Sequence, residues 1–421
     1  MAKHLTPEEQ LRFLKRRAVE IIPEDELIKK LERSQRTGKP LRVKLGVDPT
    51  SPDIHIGIGV VLQKLRDFQD LGHTAVLIVG DFTARIGDPS ERASQRKMLS
   101  KEEVEANMKA YREQALKILD PNRTEFRYNS EWLEKMDFAK LLELASKYTV
   151  AAMLERDDFS KRFREGNPIS IVEFLYPLAQ GYDSVAIQAD VELGGTDQRF
   201  NLLVGRALQE RYGQEPQVCF LMPLLEGLDG VKKMSKSYNN YVSITEPPNE
   251  MFGKLMSIPD ALIEKYVRLL TDLEWEELKQ LHPKGQKQKM AHAVVARYHS
   301  REAADRALEE FERVFARKER PAEVPKLSLD RKLLKPDGTV WIVDLIAPLT
   351  KSRSEAKRLI EQGAVEIDGM KITQFDQSVA VRDGTLVRIG KHTFAEIFLS
   401  PSPPSPLPSE GEGSQRGEEM G

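Results

Sequence analysis

Apolar residues along this chain recur first at helical spacing, then in unbroken runs, then again at helical spacing. Thr6-Pro7-Glu8-Glu9 joins an N-cap, a proline at the first helical position and early acidic residues. Leu11, Leu14 and Ala18, then Leu27 and Leu31, carry the helical period behind it. Residues 42–47 predict a short strand that runs into Asp48-Pro49-Thr50-Ser51-Pro52. Residues 55–71 predict a helix stopped by Gly72, and residues 75–79 have the continuous apolar character of a buried parallel strand. Strand, helix and strand make a βαβ unit. The theme returns in Val191-Glu192-Leu193, a helix over 197–212 and a strand over 217–221. An open parallel α/β sheet over roughly residues 30–235 is the expected fold class.

After Pro247-Pro248 the pattern changes to Lys, Glu, Leu and Ala at helical spacing, and Pro321 with Pro325 reads as a linker. A third pattern follows: a short helix over 351–362, then residues 364–372 with Asp368-Gly369 at the centre, a hairpin signal. Gly384 and Gly390 punctuate further short strands, and the proline- and serine-rich residues 400–421 read as a disordered tail. The expected organisation is an α/β domain over 1–245, a helical domain over 246–325, a small α+β module over 331–399, and the tail.

Composition adds exclusions. A chain of 421 residues is longer than one usual domain. With 64 basic and 66 acidic side chains its net charge is −2, so a nucleic-acid partner depends on local clustering. The single cysteine, Cys219, excludes internal disulfides and a cysteine-based zinc site; it sits in an apolar run and reads as core. His73, His282, His292, His299 and His392 show no ligand spacing, so no protein-bound metal is expected. Neither a signal core nor a membrane-length apolar run occurs, and a cytoplasmic location is the expectation.

Two segments carry chemistry. In Asp48–Gly57 a proline-stiffened loop leads into a helix whose first turn holds His55 and Gly57. Free N–H groups there favour phosphate, the histidine can donate to it, and the glycine admits a nucleotide against the backbone. An ordinary capped helix with a satisfied histidine explains the segment equally well when it is taken alone. The second is Lys232-Lys233-Met234-Ser235-Lys236-Ser237. Lysines interspersed with small hydroxyls suit a leaving pyrophosphate; a solvated loop is the bland alternative.

His55-Ile56-Gly57 followed by Lys233-Met234-Ser235-Lys236-Ser237 resembles the paired signature of class I aminoacyl-tRNA synthetases. Gly194-Gly195-Thr196-Asp197-Gln198 and Tyr176-Pro177-Leu178-Ala179-Gln180-Gly181-Tyr182-Asp183 narrow the resemblance to the bacterial tyrosyl-tRNA synthetases. The C-terminal module resembles the small RNA-binding module those enzymes carry, so the resemblance covers about residues 1–399.

It implies a Rossmann-like catalytic domain that activates L-tyrosine with ATP and Mg²⁺, then loads tRNA(Tyr). Tyr176, Gln180, Asp88 and Asp48 would hold the ammonium group, Gln198 the carboxylate or ammonium, and Asp183 the phenolic hydroxyl. Positions i, i+4 and i+7 of one helix share a face, which fits Tyr176, Gln180 and Asp183. A buried acceptor left unpaired by phenylalanine would reject it. Thr50, His55, Lys233, Lys236, Arg92 and Arg96 would meet the phosphates, Asp197 a ribose hydroxyl, and Gly57 the adenine side. Lys351, Arg353, Lys357 and Arg358 would grip tRNA phosphates, and the family implies a homodimer.

This chain departs from the family pattern in having Ile58 for a second signature histidine, Lys44 for a tyrosine near the phenol, and Glu91 for a glycine. Slower activation is expected. A tryptophanyl enzyme, a synthetase-derived RNA-binding protein and a nucleotidyltransferase without tRNA are the rivals. Asp183, the intact lysine loop and the basic C-terminal module stand against them in turn.

Overall fold

A computed structural model describes residues 5–48, 53–87, 101–316, 324–350, 352–390 and 393–400. The chain forms two compact units, Met1–Phe311 and Glu312–Gly421.

In the first unit β1 (Glu20–Ile22), β2 (Arg42–Val47), β3 (Thr74–Val79), β4 (Thr124–Tyr128), β5 (Val191–Gly195) and β6 (Val218–Met222) form one sheet, in the order β1-β6-β5-β2-β3-β4. Neighbours from β6 to β4 pair in parallel, and only β1 runs antiparallel, against β6. From β2 the chain builds outward to β3 and β4. From β5 it builds the other way, to β6. The order therefore reverses between β2 and β5, and a crevice opens at their carboxyl ends, where open α/β sheets bind ligands.

Continuous burial explains the strands: Val218 to Met222 are all inaccessible, as strands covered by helices on both faces must be. The helix Ile56–Asp70 buries Leu62, Leu65 and Phe68 on the sheet, with Phe68 edge-on to Phe220. Helices Ile171–Ile187 and Arg199–Arg211 cross closely at Gly181, where a β-carbon would stand 2.8 Å from Leu208 and 3.2 Å from the Gly205 backbone. The helices from Pro248 to Phe311 share the core of the sheet through Met251, Phe252, Tyr266 and Val294. The segment read as a helical domain over 246–325 thus lies, as far as Phe311, within this unit.

The second unit holds β7 (Lys326–Leu329), β8 (Thr339–Trp341), β9 (Val365–Ile367), β10 (Met370–Ile372), β11 (Ser378–Ala380), β12 (Leu386–Ile389) and β13 (Thr393–Leu399). They form a sheet in the order β10-β9-β12-β13-β7 and a β8–β11 ribbon, packed with the helix Arg353–Glu361 around Val340, Ile346, Ile360 and Val387. Asp368 and Gly369 both take positive φ, 49° and 81°, the geometry that a two-residue hairpin turn demands.

Some boundaries differ from the periodicity. The first helix ends at Lys15, before Ala18. The helix expected from 197 begins at Arg199, because Thr196–Gln198 form a tighter 3₁₀ turn. Ser352 caps the helix expected from 351, its hydroxyl accepting from the Glu355 N–H. Pro321 and the tail beyond Ser400 lie outside the described residues. Among the described residues no helix is long and apolar enough to cross a membrane.

Candidate active site

The carboxyl ends of β2 and β5, the start of the helix Ile56–Asp70 and the Lys233–Ser237 loop enclose a cleft of about 600 Å³. One end is acidic. The helix Ile171–Ile187, opened by a Ser170–Glu173 capping box, turns Tyr176, Gln180 and Asp183 to the cleft. The Tyr176 hydroxyl donates to Asp48 Oδ2 at 2.8 Å, and Thr83 Oγ1 donates to Asp48 Oδ1 at 3.0 Å. Asn201 Nδ2 bridges Gln180 Oε1 and Gln198 Oε1, at 3.1 and 2.9 Å, fixing which amide atoms face the cavity. Asp183 is only 3% exposed. It accepts from Trp132 Nε1 at 2.8 Å and from Asn129 Nδ2 at 3.4 Å. Burial pushes its pKa up to about 7, against the opposing Lys44 charge and the Trp132 and Asn129 hydrogen bonds.

The other end is cationic. His55 caps the helix Ile56–Asp70, its Nδ1 accepting from the Ile58 N–H at 3.4 Å. Burial, then the charges of Lys236 and Lys233, hold its pKa down at about 4. The imidazole is therefore neutral at pH 7, and with Nδ1 accepting, the proton sits on Nε2 as a donor. A β-carbon on Gly57 would stand 3.0 Å from the His55 ring and 3.6 Å from Met234, so the glycine keeps this wall flat. Ile58 lines the same cleft and offers no donor.

The lysine loop is anchored by its backbone. Met234 N donates to Leu225 O at 2.7 Å, Ser235 N donates to Asn240 Oδ1 at 2.9 Å, and the Met234 side chain is buried. Between these anchors Lys233 pairs with Asp197 at 2.8 Å, while Lys236 donates to the Asp53 carbonyl. Burial brings the pKa of Lys236 down to about 8, against the pull of Asp53. The cleft is thus polarised, with Asp48 and Asp183 at one end and, at the other, the imidazole and two lysines balanced in part by Asp197 and Asp53.

Of the sequence-predicted residues, Asp48, His55, Gly57, Tyr176, Gln180, Asp183, Asp197, Gln198, Lys233 and Lys236 meet here. Thr50, Asp88, Arg92, Arg96 and Lys351 lie outside the described residues, as does Glu91. Sequence reasoning missed Trp132, Asn129, Thr83 and Asp53; Trp132 sits on a one-turn helix that no periodicity marks. Lys44 is fully buried and ion-paired to Glu192 at 2.9 Å. Among the described residues no three His, Cys, Asp or Glu side chains are placed to hold a metal ion. In the second unit Arg353 and Lys357, one helical turn apart, stand over the Trp341 ring at 5.9 and 5.8 Å. Arg353 pairs with Asp344, and Arg358 with Glu355 at 3.5 Å.

A parallel sheet with this switch point and two signature elements across one cleft define a class I synthetase, and the family model described as tRNA synthetases class I (W and Y) matches residues 35–316. The chain belongs to the tyrosine–tRNA ligase family of bacteria. It is 56% identical over 404 residues to the tyrosine–tRNA ligase of Thermotoga maritima, covering 93% of this chain and 98% of that one. With the Aquifex aeolicus tyrosine–tRNA ligase it shares 51% over 399 residues, 93% and 99% of the two chains. Among solved structures it resembles the tyrosyl-tRNA synthetase complexed with L-tyrosine from Archaeoglobus fulgidus. That likeness has a TM-score of 0.58 at 26% identity, over 72% of this chain and 99% of that one.

Proposed function

We infer that this cleft joins L-tyrosine to ATP, giving tyrosyl-adenylate and pyrophosphate, and then passes tyrosine to the terminal ribose of its tRNA. The observation that carries the reading is the alignment of Tyr176, Gln180 and Asp183 on one helix, facing the cleft that His55, Lys233 and Lys236 also line.

The substrate's ammonium group meets Asp48, Tyr176, Gln180, Gln198 and Asp88, and its phenolic hydroxyl donates to Asp183. The ATP phosphates accept hydrogen bonds from the His55 Nε2–H and from the ammonium groups of Lys233 and Lys236, helped by Thr50, Arg92 and Arg96. Asp197 takes a ribose hydroxyl, and the adenine side lies on Gly57. The tyrosine carboxylate attacks the α-phosphorus in line. One O–P bond forms, the bond to pyrophosphate breaks, and the leaving charge falls on the lysine loop. Mg²⁺ enters with ATP as part of the substrate complex, since it is commonly held by phosphate oxygens and water.

Arg353, Lys357 and Arg358, with Lys351, hold tRNA phosphates. The protein acts as a cytoplasmic homodimer. Phe138, Leu142, Val150, Phe163 and Ile171, all exposed on the helices between β4 and β5, support a partner subunit there. The domain limits of 1–245, 246–325 and 331–399 correspond to catalysis, approach to the anticodon stem and RNA grip.

Exchange of labelled pyrophosphate into ATP tests this, with phenylalanine and tryptophan as controls. Exchange with tyrosine alone is the expected result. A folded chain that binds tRNA but exchanges with no amino acid would leave only the RNA-binding role.

A further inference from the structure

At the back of the acidic end of the cleft, where Glu192 joins the lining, lies a charged pair with no direct part in the chemistry above. Lys44 on β2 and Glu192 on β5 are cross-strand partners in the sheet, and both side chains are inaccessible to solvent, at 0% and 1%. The Lys44 ammonium meets Glu192 Oε1 at 2.9 Å, the Gln180 carbonyl at 2.9 Å and Ser184 Oγ at 2.8 Å. An ammonium has three N–H donors. All three are occupied, so none is left for a ligand. Glu192 Oε2 accepts in turn from Ser184 Oγ at 3.2 Å and from Gln217 Nε2. Gln180 and Ser184 bracket Asp183 on the helix Ile171–Ile187.

A buried ion pair contributes little net stability against apolar side chains of the same volume. Its placement here points to selection of the substrate. We propose that Lys44 and Glu192 are positioning residues: Lys44 pins the turn that presents Asp183, and the opposed charges of the pair set the pH range over which the cleft accepts tyrosine. The proposal rests on Asp183 being the acceptor of the phenolic hydroxyl.

The groups facing Asp183 are few. Lys44 approaches from β2 and draws its pKa down, Glu192 approaches from β5 and pushes it up, and neutral Trp132 and Asn129 donate to it. Asp48 stands one step further, reached through Thr83, which accepts from Asn129. Because the ionised carboxylate is the better acceptor, kcat/KM for tyrosine rises with pH through the Asp183 transition. Removing the Lys44 charge moves that midpoint up. Removing the Glu192 charge moves it down.

The experiment is the pH profile of tyrosine-dependent pyrophosphate exchange, from about pH 5.5 to about 8.5, for the native chain, Lys44→Met, Glu192→Gln and the double variant. The single variants are expected to move the midpoint in opposite directions, and the double variant to return it toward the native value. Discrimination against phenylalanine should fall most in Lys44→Met below its raised midpoint. Uniform loss at every pH, or shifts of the same sign, would overturn the proposal and leave the pair a purely structural element. Should Lys44→Met fail to fold, the near-isosteric Glu192→Gln decides alone by the direction of its shift. Failure of the functional reading shows separately, as no tyrosine-dependent exchange in the native chain.

Discussion

Replacing Asp183 with asparagine exchanges function for stability by an amount that depends on pH. Burial carries this carboxyl from an ordinary pKa of 3.8 to about 7. Between those values the folded chain keeps a proton that the unfolded chain has released. Unfolding free energy therefore falls as pH rises through that window, and is lowest above it. The span is about three pKa units at ~1.4 kcal/mol each, so ionised Asp183 costs the fold about 4 kcal/mol at pH 8. Asp183→Asn keeps the shape and removes the charge. Its amide N–H₂ meets either the Trp132 N–H or the Asn129 amide, donor against donor, and that mismatch returns about 1–3 kcal/mol of the gain. The variant should unfold with about 1–3 kcal/mol more free energy than the native chain near pH 8. Near pH 5, where only about one of the three units has been spent, the two should be equal or reversed in order. Urea or thermal unfolding of both chains at the two pH values measures this, and tyrosine-dependent exchange in the variant should collapse. A stability difference of the same size and sign at both pH values would refute the argument, because an uncoupled side chain has no such dependence.

Ile58→His restores a donor to the cleft wall and should raise the activation rate about ten- to a hundredfold, the worth of one charge-assisted bond at ~1.5–3 kcal/mol; an unchanged single-turnover rate rejects the donor argument. Trp132→Phe removes the shorter of the hydrogen bonds that Asp183 accepts from Trp132 and Asn129, and should raise KM for tyrosine about tenfold at pH 7, read from exchange at varied tyrosine. Arg353→Ala combined with Lys357→Ala should weaken tRNA binding and flatten its salt dependence by about one to two in log–log slope; an unaltered slope places the phosphate contacts elsewhere.

What the sequence disclosed follows from the range of the forces involved. Burial on both faces of β3 and β6 leaves unbroken apolar runs, and the positive φ of Asp368 and Gly369 leaves an Asp-Gly pair, so these elements were legible. β1 and β4 were not. β1 is three residues long and forms by pairing with β6 at the sheet edge, while Thr124–Tyr128 alternates charged and apolar residues with little to separate it from a loop. The cleft shows the same division. Tyr176, Gln180 and Asp183 lie at helical intervals on one element, so their common face could be counted. Trp132, Asn129 and Thr83 reach Asp183 and Asp48 through contacts between residues 35 to 54 positions apart. Lys44 appeared in the sequence as a departure beside the phenol; three-dimensional placement turns its ammonium away from the cavity and into the sheet–helix interface.

The pairing of the signature lysines bears on how the cleft can bind a polyanion without trapping it. Lys233 rests on Asp197 with both side chains partly exposed, at 39% and 28%. A pair so placed is worth about 0–1 kcal/mol. A charge-assisted bond from the same ammonium to a phosphate oxygen, shielded from water by the cleft, is worth about 1.5–3 kcal/mol. On the proposed function, moving Lys233 from carboxylate to phosphate would be downhill, and it would free Asp197 for the ribose hydroxyl in the same step. Lys236 is held in turn by Asp53, donating to its carbonyl and standing 3.9 Å from its carboxylate, and burial draws its pKa down to about 8 against that pull. With His55 neutral and donating only through Nε2, the positive charge at this end of the cleft rests on the two lysines, and on the proposed function it would meet the pyrophosphate charge as that develops.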